Sequence, residues 1–145
     1  VRATPADLWQ ATNFDRLNFT GVEAAGEFQP LRGQTIRLSF TGLHGVRAGQ
    51  DVLLSKYTFN YPVQSGVAEW HGLIAGHIAA RTRIGAVNRL GRSPYGTWDT
   101  SASWSKGKVR PFAQFANITS TRYEEIPGVA LPGRTVMGGV ELVLR

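Results

Sequence analysis

The sequence predicts an all-β fold, an antiparallel meander of about seven long strands. Apolar and polar residues alternate at period two over most of the chain, which is typical of strands with two different faces. Helix-like content is confined to residues 5–11, a stretch too short to form a stable helix by itself. Turn-forming residues divide the alternating pattern into segments of strand length.

The first half of the chain contains three predicted strands. The first covers residues 17–28 and ends at the turn QPLRGQ, residues 29–34. The second covers residues 35–44 and is followed by a longer polar stretch, residues 45–64. The third covers residues 65–74 and leads into the tight turn AGH. We therefore expect one short, one long and one short connection in this half.

The second half contains four predicted strands. They cover residues 78–90, 97–105, 109–119 and 135–144. The loop GRSPYG and the turn KGK separate the first three of these strands. The last connection contains RYEEIPGVALPGR, residues 122–134, in which prolines and glycines interrupt the alternation. This loop is predicted to lie outside the sheet.

The connections alternate between short turns and longer loops. A meander with tight turns at one end and longer loops at the other is the arrangement of an outer-membrane barrel. The predicted strand lengths agree, because about 9–11 residues at a tilt of about 45° cross a bilayer. Strands of soluble proteins average about 5–6 residues.

The two faces of the predicted strands differ in chemistry. One face mixes small and aliphatic residues with tryptophans, and the opposite face carries Arg, Glu, Asp and Ser. Trp98 and Trp104 share a face six residues apart, which is roughly 20 Å at 3.3 Å per residue. The aromatic girdles of a membrane barrel are separated by about 25 Å. The alternative is a pair of core tryptophans in a soluble sandwich, and this pair alone does not decide between the two.

Composition excludes several classes of site. The 145 residues include no cysteine, so the chain has no disulfide framework and no thiolate nucleophile or ligand. The three histidines lack metal-ligand spacing, and neither a nucleophile elbow nor a glycine-rich phosphate loop is present. We predict that the protein is not an enzyme and uses no cofactor or metal. The net charge of +6 is scattered and lies away from the Trp98 face, so we predict no binding to nucleic acid.

Three segments resemble TonB-dependent outer-membrane receptors. NFDRLNFTGVEA, residues 13–24, is similar to the stretch that leads from an outer loop into a descending strand. YPVQSGVAEW, residues 61–70, resembles a strand entry with a proline just before it. FANITSTRYEEIPGVALPGRTVMGGVEL, residues 115–142, resembles the stretch before the closing strand. The three segments occur in the family's order and span nearly the whole chain.

The resemblance implies that residues 1–145 form a single C-terminal segment of a transmembrane β-barrel in the bacterial outer membrane, with the plug domain and earlier strands outside it. It implies energy-coupled uptake of a large, scarce nutrient, of the iron–siderophore or cobalamin class. The implied partners are outer-membrane lipid, the rest of the protein's own barrel with its N-terminal plug, a TonB-type energy-transducing complex acting through that plug, and the barrel assembly machinery.

The resemblance also implies roles for individual residues. Outer loops are expected at residues 53–61, 92–95 and 123–131, and the residues predicted to lie nearest the substrate are Tyr57, Tyr61, Arg92, Tyr95, Tyr123 and Glu124. The charged residues expected to face the plug are Arg37, Glu69, Arg81, Arg83 and Asp99. The chain departs from the family at its end, where Arg145 stands in place of the usual aromatic residue. The alternative interpretation is a self-contained small β-barrel, either in a membrane or soluble and ligand-binding.

Overall fold

The structure, a computed structural model, describes residues 4, 6–8, 16–48, 61–126 and 128–144, and gives only the backbone of residues 16, 17 and 46–48. This part of the chain contains nine β-strands and no helix. Their bounds are β1 (Arg16–Phe28), β2 (Gln34–Ala48), β3 (Pro62–Ile74), β4 (Ile78–Arg89), β5 (Tyr95–Trp104), β6 (Val109–Ala116), β7 (Glu124–Ile126), β8 (Val129–Ala130) and β9 (Thr135–Leu142).

Seven of these strands form one sheet in the order β1-β2-β3-β4-β5-β6-β9, and every neighbouring pair is antiparallel. The predicted meander of seven strands is therefore confirmed. Within the described residues, no helix is long and apolar enough to cross a membrane. The predicted helix-like stretch at residues 5–11 lies mostly outside the described residues.

Three predicted strands were too short. β2 continues to Ala48 because the first residues of the long β1 pair with it, as in Phe19 opposite Gly45. β3 begins at Pro62, which has no N–H for the ladder and is followed by a bulge against β4. β5 begins at Tyr95, opposite Val87 of β4, so part of the predicted loop GRSPYG belongs to the sheet.

The end of β6 was predicted wrongly, whereas the loop after it lies outside the seven-stranded sheet as predicted. The strand stops at Ala116, three residues early, because Asn117 adopts a left-handed backbone conformation with φ of 49°. The predicted irregular loop contains the small antiparallel hairpin of β7 and β8. Gly128 has a positive φ of 79° in the turn between these two strands, a conformation that glycine adopts without steric cost.

The register places opposing residues on the same face of the sheet. We call one face the apolar face; its large side chains with described positions are Val22, Phe28, Ile36, Leu38, Phe40, Trp70, Ile74, Ile78, Ile84, Trp98, Trp104, Val109, Phe115, Val136, Val140 and Leu142. The other is the polar face. Every charged side chain that the structure describes in the seven-stranded sheet lies on the polar face, so the charges are completely segregated.

The sheet has no hydrophobic core within the described residues, because none of their hydrophobic side chains is buried. On the apolar face Trp98 is 42% exposed and Ile84 is 54% exposed. The indole N–H of Trp98 donates a hydrogen bond to the Thr82 hydroxyl at 2.7 Å, so its polar atom is paired within the sheet. An open sheet with one continuous uncharged face needs another phase or partner to cover that face.

Candidate functional site

The end of the sheet where β4 leaves and β5 enters also carries the long loop between β6 and β9. Asn117 fixes this loop to the sheet and is only 5% exposed. Its backbone N–H donates to a carboxylate oxygen of Asp99 at 2.8 Å, and its side-chain amide donates to the carbonyl oxygens of Thr121 and Pro132. The side-chain oxygen of Asn117 accepts from the Thr121 N–H at 2.9 Å. One asparagine thus ties both arms of the loop to β5.

A salt bridge joins this loop to the β4–β5 connection. Nη1 of Arg92 lies 3.0 Å from Oε2 of Glu124. The same oxygen accepts the N–H of Gly128 at 2.9 Å, which closes the hairpin of β7 and β8. The Gly128 N–H and then the Arg92 guanidinium hold the pKa of Glu124 below its ordinary value. Glu124 is therefore an ionised anchor for the loop.

Two tyrosines stack beside this salt bridge. The ring centroids of Tyr95 and Tyr123 are 4.5 Å apart and their planes differ by 21°. Burial raises the pKa of the Tyr123 phenol, and the nearby Glu125 carboxylate raises it further. The phenol therefore stays neutral at physiological pH and can donate a hydrogen bond. We call Arg92, Tyr95, Tyr123 and Glu124 the rim cluster.

The rim cluster lines a cavity of about 410 Å³. Arg89 at the end of β4 and Arg122 in the loop also line it. Tyr123 additionally borders two cavities on the polar face, of about 360 and 340 Å³, both of which contain Arg83 and Asp99. Its ring therefore stands between the rim cavity and the polar face of the strands.

Four of the six predicted substrate residues are brought together in the rim cluster. Tyr61 lies elsewhere, packed edge-on against Phe19 with ring centroids 5.3 Å apart. Its hydroxyl accepts the N–H of Gly45 at 3.0 Å, and a Cβ at Gly45 would lie 2.7 Å from that oxygen. These contacts make Tyr61 a packing residue between β1, β2 and the start of β3. Tyr57 lies outside the described residues.

Charges of alternating sign cross the polar face in one row. The register sets five residues side by side on consecutive strands: Glu27, Arg37, Glu69, Arg83 and Asp99. Glu69 is 2.6 Å from Nη2 of Arg81 and 3.9 Å from Nη1 of Arg37. Arg83 is 3.6 Å from Asp99. The five charged residues predicted to share this face do so. Four residues form one ion-paired group, Glu27, Arg37, Glu69 and Arg81, and Arg83 pairs separately with Asp99.

The described residues include no group of three or more His, Asp or Glu side chains placed to hold a metal ion. No protein-family model, curated protein or solved structure matches the chain.

Sequence reasoning missed three members of this rim. Asn117 carried a signal, since asparagine is a residue that tolerates a left-handed backbone before a turn. Arg89 was assigned to a strand but not to the site, although it is on the same face as Arg81 and Arg83. Arg122 is the first residue of the loop RYEEIPGVALPGR, and its place in the cavity wall depends on how that loop folds.

Proposed function

We propose that the seven-stranded sheet is part of the wall of a transmembrane β-barrel in the bacterial outer membrane. One observation carries the proposal: the apolar face is continuous, uncharged and exposed, and the described residues provide no second layer to cover it. Hydrocarbon chains are the partner that such a face requires, whereas the charged polar face suits a hydrated interior.

Strand length supports the same conclusion. β1 to β4 have 13, 15, 13 and 12 residues, long enough to cross a hydrocarbon layer with tilt. The open ladders at the free edges of β1 and β9 would be paired by further strands in a closed barrel. We therefore propose that further strands of the same barrel pair with β1 and β9.

Within this proposal the barrel belongs to a TonB-dependent receptor for energy-coupled uptake of an iron–siderophore complex or a cobalamin. The receptor class rests on the three similar segments, the last of which spans the loop anchored by Asn117 and Glu124. The receptor makes and breaks no bond. The loops and plug bind the nutrient, and the energy-transducing complex rearranges the plug.

Site-directed labelling tests the membrane wall. Residues 1–145 contain no cysteine, so this part of the protein contributes no background to single-cysteine labelling. Ile84→Cys lies on the apolar face and Ser101→Cys on the polar face. In the full-length protein in outer membranes, we expect a bilayer-confined maleimide to label the Ile84→Cys variant and to spare the Ser101→Cys variant. Recovery of the protein in the soluble fraction, with equal labelling of both, would instead support a soluble small barrel.

Transport measurements test the receptor class. We expect a strain lacking the gene to lose protonophore-sensitive uptake of one labelled ferric–siderophore complex or of cobalamin, and a plasmid copy to restore it. If the labelling pattern holds and no such uptake changes, the protein is a membrane barrel of another kind.

A further inference from the structure

The cavity at the rim has a distinct charge balance. Its walls include three guanidinium groups and one carboxylate, alongside two stacked phenol rings: Arg89, Arg92, Arg122, Glu124, Tyr95 and Tyr123. The walls thus carry an excess of two positive charges.

The single carboxylate is already engaged. Glu124 holds Arg92 at 3.0 Å and the Gly128 N–H at 2.9 Å through one oxygen atom. It therefore neutralises Arg92, and its contacts do not extend to Arg122. Arg122 is exposed and forms no ion pair with any residue that the structure describes. Arginine forks bind planar anions such as carboxylates through two parallel hydrogen bonds.

The tyrosine pair adds a flat apolar wall to this positive site. Tyr95 belongs to β5, and the backbone carbonyl of Tyr123 accepts a hydrogen bond from the Leu131 N–H at 3.0 Å. The backbone of both tyrosines is therefore hydrogen-bonded in place. The neutral Tyr123 phenol adds a donor at the edge of the wall. A volume of about 410 Å³ accommodates a small organic group, because ligand pockets commonly range from about 300 to 1,000 Å³.

We propose that the rim cavity binds an anionic group that carries a flat ring, with its carboxylate on Arg122 and its ring against the Tyr95–Tyr123 stack. If the bound group is part of the transported nutrient, that nutrient contains an aromatic carboxylate. This part of the inference rests on the uptake role proposed above. The binding step itself can be measured without transport.

The test uses the full-length protein purified in detergent and titrated calorimetrically with three probes. 1-Naphthoate has the ring and the charge, 1-naphthamide keeps the ring without the charge, and acetate keeps the charge without the ring. We expect naphthoate to bind at least tenfold more tightly than either of the other two. Equal affinity for naphthoate and naphthamide, or for naphthoate and acetate, would overturn the proposal.

Two variants locate the binding. Arg122→Gln removes an exposed guanidinium and is expected to weaken naphthoate binding about tenfold, because the carboxylate loses its charge-assisted hydrogen bonds. Tyr95→Leu is expected to weaken naphthoate and naphthamide alike. Arg32→Gln makes the same change in the exposed turn between β1 and β2 and serves as the matched control. If Arg122→Gln binds naphthoate as Arg32→Gln does, the cavity is not the site.

The outcomes separate the two proposals. Naphthoate binding that needs Arg122, in a protein without energy-coupled uptake, supports the cavity assignment and rejects the receptor. Energy-coupled uptake in a protein that does not discriminate naphthoate from naphthamide rejects the aromatic carboxylate and leaves the receptor standing.

Discussion

The two faces of this sheet are built from the same strands and satisfy opposite requirements. On the apolar face, Ile84 and Trp98 oppose each other across β4 and β5 and remain exposed. One residue along each strand, Arg83 and Asp99 oppose each other on the polar face and are ion-paired at 3.6 Å. The polar face pairs these charges within the chain, whereas the apolar face needs a partner from outside, which we propose to be hydrocarbon. This difference indicates that the fold is incomplete without its surroundings.

A charge on the apolar face gives the largest expected effect. Ile84 lies near the middle of β4, so in the proposed membrane wall Ile84→Arg would place a guanidinium deep in the lipid. We expect a loss of about 2–4 kcal/mol in the free energy of unfolding, because this is the cost of arginine at the bilayer midplane of a membrane barrel. Urea unfolding of the full-length protein in lipid vesicles, followed by tryptophan fluorescence, measures the change.

The polar face supplies the control. Ser39→Arg introduces the same side chain on the polar face of β2, where Ser39 is exposed. Its effect is expected to stay within about 0.5 kcal/mol, as for other surface substitutions. Equal, small effects of the two variants would show that water covers both faces and would contradict the membrane wall.

Substitution of Asn117 gives the next largest effect. It tests whether this residue holds the loop between β6 and β9 against the polar face. Asn117→Ala removes hydrogen bonds to Thr121 and Pro132 and leaves their backbone groups unsatisfied. Each unsatisfied group costs about 1–3 kcal/mol, so we expect a loss of about 2–3 kcal/mol in the stability of the docked loop. The rate of proteolysis within residues 118–134 reports it.

Thr119→Ala is the matched comparison for this anchor. Thr119 is exposed and donates only a 3.3 Å hydrogen bond to the Asn117 side chain besides its contact with Thr121. Its removal should change loop proteolysis less than a few-fold. If both variants are cut at the same rate, Asn117 does not anchor the loop.

The charge row on the polar face gives a smaller effect. Glu69 holds two arginines and its side chain is only 12% exposed, whereas Glu27 pairs with Arg37 at 47% exposure. Glu69→Gln leaves Arg37 and Arg81 without this carboxylate, so we expect a loss of about 1–2 kcal/mol. Glu27→Gln is expected to cost at most about 0.5 kcal/mol, because solvent screens an exposed pair.

Vesicle unfolding of the two variants measures this contrast. An equal cost for Glu69→Gln and Glu27→Gln would show that the row acts as a set of independent surface pairs. A larger cost for Glu69→Gln identifies Glu69 as the centre of a network.

The sequence was informative about the sheet because side-chain alternation is local. The period of two in residues 35–44 indicates which residues share a face, and the register confirms it for Ile36, Leu38 and Phe40. Strand ends were less predictable, since β2 and β3 are extended by partners distant in the sequence. The hairpin of β7 and β8 depends on Glu124 reaching the Gly128 N–H, a contact that composition does not reveal.

The candidate site was predictable in part for the same reason. Topology placed Arg92, Tyr95, Tyr123 and Glu124 in loops at one end of the sheet, and the structure brings them together. Tyr61 was placed at that end as well, but its contacts with Phe19 and Gly45 are set by the register of β1 with β2. Pairing across strands, rather than position in a loop, decides whether such a tyrosine lines the rim cavity.

Acidification gives the smallest expected effect, and at the rim it acts through Glu124. Because the folded pKa of Glu124 lies below its ordinary value, the ionised carboxylate stabilises the docked hairpin at every pH above about 4.3, the ordinary pKa of glutamate. This contribution is lost as the pH falls through the lowered folded pKa. We expect the Gly128 amide, which donates to Glu124, to lose hydrogen-exchange protection between pH 5 and pH 3, after correction for the intrinsic exchange rate.

The hydrogen-exchange protection of the sheet should not follow that of the rim. The amide of Ile84 lies within the β4 ladder and faces no titrating partner of its own, so its protection should stay constant over the same range. Glu124→Gln should expose the Gly128 amide at pH 5 and abolish the pH dependence. A pH-dependent loss that survives in Glu124→Gln would assign the titration to another carboxylate, and Glu125 is the nearest candidate because it lies in the same strand, β7. Loss at Ile84 in parallel with Gly128 would show that the rim and the sheet open together.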